Sequence, residues 1–321
     1  MNQIEKIQKS GKGKIISIDA VRIGNKEIIV TGKVIRIARI NEEWDEWVDN
    51  PEQVVEELKK SRLRVDIFTF VQKFSEPKPR YNYYMEWDNV AAIHIKGYNN
   101  WWTKQINKNA RNSIRKAEKK GVVVKKAIFN EDTIRGISNI YNETRIRQGK
   151  PFWHYGKSLE MIEKEHSTYI DRSYFIGAYL GDELIGFIKL VRGDGFADIM
   201  NIISKIQHRD KAPTNALIAK AIEYCEKENI PYLTYGPFIY GKKGRDSLTD
   251  FKEHNGFIRI DFPRYYVPLT LKGDLAIQLK LYNSIKDFLP AKVYNFAIDG
   301  RKIYYRLKYR TNKSLPVSRL R

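Results

Sequence analysis

The stretch that decides the fold reads SYFIGAYL (Ser173–Leu180), GDE, LIGFIKLV (Leu184–Val191), RGDG, FADIMNIIS (Phe196–Ser204). Three apolar runs of strand length are joined by short Gly- and Asp-containing loops, the chemistry that tight hairpins require. A polar loop, His208-Arg-Asp-Lys-Ala-Pro-Thr-Asn215, then opens a helical run at Ala216–Glu228. A short strand follows at Tyr232–Tyr235, and a Gly-rich loop leads to Asp250-Phe-Lys-Glu-His-Asn-Gly-Phe257. An antiparallel meander feeding a helix and one more strand is not a doubly wound sheet. It predicts an α/β (α+β) fold, a mixed, mainly antiparallel sheet flanked by helices.

Upstream of the meander, Val122–Ile128 reads as a strand and Asn130-Glu-Asp-Thr-Ile134 as the cap of a helix running to about Arg147. Gln148–Gly156 is an aromatic loop, and a second helix spans Lys157–His166. Asn99–Lys120 reads as one amphipathic helix closed by Gly121, with Trp102, Ile106, Ala110, Ile114 and Ala117 on one face. Lys104, Lys108, Arg111, Arg115 and Lys119 fall roughly opposite, a pattern that suits a solvated face or an electrostatic rail for RNA or phospholipid head groups. Nearer the N-terminus, Lys14–Arg39 predicts two strands turning near Gly24-Asn25, Glu42–Lys60 a helix interrupted at Asn50-Pro51, and Arg64–Phe74 a strand. Ser10-Gly-Lys-Gly-Lys14 reads as a flexible end, and Tyr81–Ile95 as extended chain. After Leu269 the chain turns helical from about Gly273 and ends in Arg301–Arg321, which holds Lys and Arg but no acid.

A length of 321 residues suits two domains, and 42% apolar with 12% aromatic content argues for packed cores. No apolar run reaches the roughly 20 residues of a membrane span, and the first residues lack the apolar core of a signal peptide. Cys225 is the single cysteine, which excludes an intrachain disulfide and fits a reducing cytoplasm. Five scattered histidines give no zinc spacing, so no metal is expected. The net charge of +20, from 58 Lys and Arg against 38 Asp and Glu, implies an anionic partner: nucleic acid, a membrane surface or a phosphate-rich substrate.

Strand, two helices, three-strand meander, helix, strand and helix is an order that resembles the GNAT acyltransferase superfamily, and within it the Fem-type (FemABX) branch. Three motifs carry the likeness. Asn109-Ala-Arg-Asn-Ser-Ile-Arg-Lys-Ala-Glu-Lys-Lys-Gly-Val122 is similar to the basic linker helix before the second Fem domain. Phe175-Ile-Gly-Ala-Tyr-Leu-Gly-Asp-Glu-Leu-Ile-Gly186 resembles a hairpin of the superfamily. Phe251-Lys252 with Asn255-Gly-Phe257 resembles the Phe-Lys…Gly-Phe signature near the end of that domain. The likeness covers about Asn99–Pro268 well and Met1–Ile95 poorly. It implies two tandem GNAT-like domains: residues 1–120 a degenerate copy ending in the basic linker helix, 121–271 the transferase domain, and 272–321 a basic helical tail packing back on the first.

The resemblance also implies a long, phosphate-bearing acyl donor held at the sheet's split end, either acyl-CoA such as acetyl-CoA or aminoacyl-tRNA. The superfamily's donor loop, [Gln/Arg]-x-x-Gly-x-[Gly/Ala], cradles pyrophosphate on backbone amides. The nearest match here, Arg209-Asp-Lys-Ala-Pro-Thr214, lacks the glycines, and Pro213 removes an amide donor. That shifts donor phosphates toward Arg209, Lys211 and the Thr214 hydroxyl, with Asn215 beside them, or else weakens coenzyme A as donor. Of the two, acyl-CoA is the expected donor, because the chain is shorter than many tRNA users, although the charge pulls toward tRNA.

Amide formation requires a held donor carbonyl, a stabilised oxyanion and a deprotonated acceptor amine. The resemblance places the carbonyl between Phe196–Ser204 and Tyr232–Tyr235, against backbone groups of Met200, Asn201 and Ile202, and gives Lys252 a transition-state role. Tyr235 could protonate the leaving group; His154 or Asp198 could serve as base. Trp153 and Tyr155 lie in the loop that would overhang the acceptor, and Lys242, Lys243 and Arg245 could grip its phosphates. The expectation is a cytoplasmic N-acyltransferase acting on an amino sugar or peptide amine of a cell-envelope or polysaccharide precursor. Contact with tRNA, or with the inner membrane surface, would run through residues 99–120 and 301–321. The alternative is a non-catalytic RNA-binding or membrane-surface protein on a transferase scaffold, with Tyr304, Tyr305 and Tyr309 stacking on bases.

Overall fold

The computed structural model describes residues 4–11, 14–41, 46–240, 245–282, 300 and 305, and for 8–11 and 14–16 the backbone alone. The first half is a meander of β1 (Ile4–Gly11), β2 (Lys14–Ile23), β3 (Lys26–Thr31) and β4 (Ile37–Ile40), all antiparallel neighbours. Lys14–Arg39 thus holds three strands, one more than its alternation suggested, and Ser10, Gly11 and Lys14, read from sequence as part of a loose end, are paired in β1 and β2, with residues 12 and 13 outside the described residues. Helix α1 (Pro51–Lys60) leads to β5 (Ile67–Val71), which runs parallel to β4. Asn50 caps α1 by accepting the Gln53 N–H at 3.1 Å, so the helix begins there; residues 42–45, where the sequence pointed to an earlier start, lie outside the described residues. Strand β6 (Tyr84–His94) follows.

The linker is not one helix. It comprises α2 (Tyr98–Asn100), a π-helical turn (Trp101–Gln105), an extended Ile106 and α3 (Lys108–Lys119), with Asn107 capping α3 through the Ala110 N–H at 2.8 Å. Two contacts fix the break. The fully buried Trp101 donates its indole N–H to the Asn255 carbonyl at 2.9 Å, and Arg111 Nη1 donates to the carbonyls of Trp102 and Ile106 at 2.8 and 2.9 Å. Arg111 is therefore a clamp on the first segment's end, while Lys104, Lys108, Arg115 and Lys119 remain exposed.

The second half comprises β7 (Val122–Lys126), α4 (Glu131–Tyr141), the small hairpin β8 (Ile146–Arg147)–β9 (Lys150–Pro151), α5 (Leu159–His166), β10 (Ser173–Leu180), β11 (Glu183–Arg192), β12 (Phe196–Ser204), a 3-10 turn (Ile206–Lys211), α6 (Pro213–Lys227), β13 (Tyr232–Thr234), α7 (Ser247–His254), β14 (Ile258–Pro268) and α8 (Leu271–Gln278). Helix α4 stops at Tyr141, six residues before the expected Arg147, because the following loop folds into the small hairpin.

All strands but that hairpin form one 12-stranded sheet, ordered β1-β2-β3-β4-β5-β14-β6-β13-β12-β11-β10-β7. Each half repeats one plan, a meander whose final strand lies parallel to the next: β4 with β5, and β12 with β13. The strand that closes each half comes from the other: β14 pairs with β5 and β6 with β13, and the two pair together at the centre. A cut in the sequence near residue 120 therefore does not cut the sheet.

One core lies between the second-half strands, α3 and α6, including Trp101, Ile114, Ile188, Ile222 and Phe257. Another fills the first half around Val21, Phe68 and Tyr265. Each such aliphatic or aromatic side chain contributes about 1.5–3 kcal/mol on burial. Among the described residues no helix is long and apolar enough to cross a membrane.

Candidate active site

Strands β12 and β13 pair over three positions only, Phe196–Asp198 with Tyr232–Thr234. Beyond them β12 continues to Ser204 while β13 ends, so the two part. The parting is sharpened by a β-bulge: Lys189 of β11 faces Asn201 and Leu190 faces Ile199, leaving Met200 unpaired and 38% exposed.

Polar groups converge at the fork. Asp198 Oδ1 accepts from Thr234 Oγ1 at 2.6 Å, and the carboxylate takes a backbone bond from Gly236. Lys252 of α7 is 0% exposed; its Nζ donates to the Pro237 carbonyl at 2.7 Å and stands over the rings of Tyr235 (4.5 Å) and Tyr240 (5.0 Å). Burial pushes the Asp198 carboxyl up to about 6 and the Lys252 ammonium down to about 8, while each charge partly stabilises the other. Burial also raises the Tyr235 and Tyr240 hydroxyls, so both remain protonated at neutral pH.

Local chemistry explains why α7 brings its lysine inward. Asp246 caps the helix through the N–H groups of Leu248 and Thr249 at 3.0 and 2.9 Å. At the other end Asn255, fully buried, donates to the Phe251 carbonyl at 2.7 Å and accepts from Asn215 Nδ2 at 3.0 Å. Gly256 follows in the left-handed region (φ +91°), where a Cβ would lie 3.1 Å from Trp101 Nε1. The Phe-Lys…Asn-Gly-Phe motif is thus a lock between α6, α7 and the linker that seats Lys252.

The other sequence candidates divide into groups. Met200, Asn201 and Ile202 line the fork, and Tyr235, Asp198 and Lys252 meet beside it. Thr214 reaches Ser204 Oγ at 3.0 Å, and Asn215 serves as the tie just described. Arg209 is exposed on the 3-10 turn, which packs against α3; Lys211 pairs with Asp210 at 3.4 Å. His154 does not overhang the site as a base. Its ring is buried against Tyr141 at 4.1 Å and Trp153 at 3.6 Å, and burial, with the neighbouring Lys157, pushes it down to about 3. Trp153 and Tyr155 are partly exposed, beneath Lys157 (3.7 Å) and Arg145 (5.2 Å) respectively. Arg245 is engaged by Asp250 at 2.6 Å and by Glu253, which leaves it poorly placed to grip a phosphate. Lys242 and Lys243, like the tail beyond 282 apart from residues 300 and 305, lie outside the described residues.

Sequence reasoning missed Glu143. Its carboxylate accepts the Ile206 N–H at 2.7 Å and the Gln207 N–H at 2.8 Å, which ties the start of the 3-10 turn to the segment after α4. Tyr240 was missed too; as a loop residue beside Gly241 it carried no periodic signal.

No protein-family model and no curated protein matches this chain. Solved structures do. The structure of FemX superposes with a TM-score of 0.51 at 11% identity, over 87% of this chain and 90% of that one. L-PGS from Bacillus licheniformis gives 0.52 at 12% identity, over 81% and 85%. The C-terminal domain of a putative lysylphosphatidylglycerol synthetase from Agrobacterium fabrum gives 0.50 at 13%, over 79% and 84%. The chain has a GNAT-like fold related to the Fem type. At these identities the likeness is one of fold, and the activity has to be argued from the fork.

Proposed function

We propose that this GNAT-like protein is an N-acyltransferase forming an amide on an amine acceptor, such as an amino sugar or peptide amine of an envelope or polysaccharide precursor. The observation that carries the reading is the buried Lys252 beside the β12–β13 fork, within the field of Asp198. A donor carbonyl entering the fork would meet the bulged backbone at Met200, where hydrogen-bonding groups have left the ladder. Lys252, mainly charged at neutral pH, stabilises the oxyanion as the amine attacks. Asp198, ionised above about pH 6, takes the proton that the attacking ammonium must lose. The hydroxyl of Tyr235 or Tyr240 returns a proton to the leaving oxygen or sulfur.

For the donor we favour aminoacyl-tRNA over acyl-CoA. The Arg209–Thr214 loop lacks the glycines whose amides would approach a pyrophosphate, and Pro213 supplies no amide. Cationic side chains then carry the phosphate contacts: Arg209 and Lys211 on the 3-10 turn, with Lys116 of the adjoining α3 and Lys120 at its C-cap acting on Asp210. A name such as lysylphosphatidylglycerol synthetase among the similar structures is in keeping with aminoacyl transfer.

The test is turnover with acetyl-CoA, longer acyl-CoAs and charged tRNA, read by intact mass of the acceptor, alongside thermal shifts with each donor. Lys252→Ala is expected to lower turnover by about a hundredfold, the scale of one oxyanion donor, with donor affinity unchanged. Equal turnover in variant and parent would remove the role of Lys252. A thermal shift with a CoA ester and none with tRNA would reverse the donor choice.

A further inference from the structure

We infer that Asn201 and Arg147 form the subsite that receives the nucleophilic amine, beneath the loop of residues 148–156, with Tyr141 as a positioning residue; this rests on the transferase reading above. The bulge at Met200 turns Asn201 toward the α4–α5 face of the sheet, where its Nδ2 donates to the Tyr141 hydroxyl at 3.4 Å. Tyr141 is fully buried, and its hydroxyl lies 3.0 Å from His166 Nε2. His166 is itself buried and neutral, held down at about 4 by burial and then by Lys189 and Lys157. An amide N–H can only donate, so the Tyr141 oxygen accepts it. That leaves Asn201 Oδ1 facing away as a bare acceptor, buried and without a partner.

A second orphan, on β8, reaches over to β12. Arg147 donates through Nη2 to the Ser204 carbonyl at 2.6 Å and stands over Phe152 at 5.0 Å, and its Nη1 is buried with no partner. Phe152 in turn packs on Tyr141 at 5.9 Å. Two buried, unsatisfied groups of opposite polarity under one loop are costly to keep unless something fills them. An acceptor and a donor under one loop suit an amine that carries an oxygen elsewhere on the same molecule, the pattern of an amino sugar or of a peptide N-terminus. The covering loop is shaped by left-handed residues: Gln148 (φ 52°) and Gly149 (φ 70°) form the tight turn of the β8–β9 hairpin, and Gly156 (φ 81°) closes the loop at its other end.

The experiment follows the Asn201 side-chain amide by nitrogen–proton NMR, assigned by its loss in Asn201→Leu, while D-glucosamine, L-alanyl-L-alanine and their N-acetyl forms are titrated in. The same amines are offered in the transfer assay. A free amine is expected to move the Asn201 resonance and its acetylated form to leave it in place. Tyr141→Phe, which keeps the ring and removes the hydroxyl, should weaken amine binding about tenfold, the worth of one hydrogen bond, and raise the acceptor KM with the donor KM unchanged. No shift with either amine, an equal shift with the acetylated forms, or an unaltered Tyr141→Phe would overturn the subsite. Amine transfer without a shift would overturn it and leave the transferase reading standing. A shift without transfer from any donor would support the subsite and count against that reading.

Discussion

Replacing Lys252 by methionine separates the cost of burying its charge from the use made of it. Burial takes its ammonium from 10.5 in the unfolded chain to about 8, and at 1.36 kcal/mol per unit this opposes folding by about 3 kcal/mol at neutral pH. The charged hydrogen bond to Pro237 offsets about 1.5–3 kcal/mol of that, and the two ring contacts about 0.5–1 kcal/mol each. Lys252→Met, near-isosteric and uncharged, should therefore fold with a stability within about 2 kcal/mol of the parent at pH 7. The pH dependence is sharper. Between pH 8 and 10.5 the unfolded parent binds more protons than the folded one, so its stability rises with pH through that window. Urea unfolding of both proteins at about pH 7 and about pH 9.5 should show the parent gaining about 2 kcal/mol on the variant. Parallel pH profiles would mean that Lys252 is solvated in solution, and the oxyanion argument would fall with its burial.

Gly256→Ala places a methyl in a left-handed backbone position against Trp101; about 1–2 kcal/mol of backbone strain and about 1 kcal/mol from the Trp101–Asn255 hydrogen bond should lower the melting temperature by several degrees. Gly273→Ala drives a Cβ to 1.9 Å from the Asp66 carbonyl oxygen, a backbone atom that cannot turn aside, and should undock α8 at a cost of about 3 kcal/mol, visible as faster proteolysis after Pro268. Burial alone would raise the Asp66 carboxyl, but bonds from the Arg36 N–H, Lys272 and Thr270 bring it below 3.8. Its stabilising contribution is therefore complete above that value and lost as pH falls through the lower folded one, and Asp66→Asn should flatten the acid limb of a denaturation curve. Glu143→Ala unpairs the Ile206 and Gln207 amides, whose hydrogen exchange should quicken by on the order of tenfold.

The second half was legible because its signals are local. Alternation set β10–β12, Asn130 and Gly121 marked element ends, and the Phe-Lys…Gly-Phe motif led to the buried lysine. Tertiary contacts overrode local pattern elsewhere. Trp102, Ile106 and Ala110 do share a face, yet the helix they suggest is broken by Trp101 reaching Asn255, far off in sequence. His154 reads in sequence as a loop histidine able to serve as base, but rings from α4 and from its own loop enclose it. Glu143, Tyr141 and His166 had no motif; each acts through a partner at least 25 residues away.

The crossed closing strands make first-half residues a wall of the candidate site. Ala91 of β6 accepts the Tyr235 N–H at 2.9 Å and gives its own N–H to the Gly236 carbonyl at 2.8 Å, so the backbone beside Asp198 and Lys252 is set by a strand from the other half of the chain. Deleting the first-half strands would remove β6 from the edge of β13 and unhinge the fork. The two halves are obliged to drift together, and a fragment carrying every candidate reactive residue should remain inert until the missing strand is supplied.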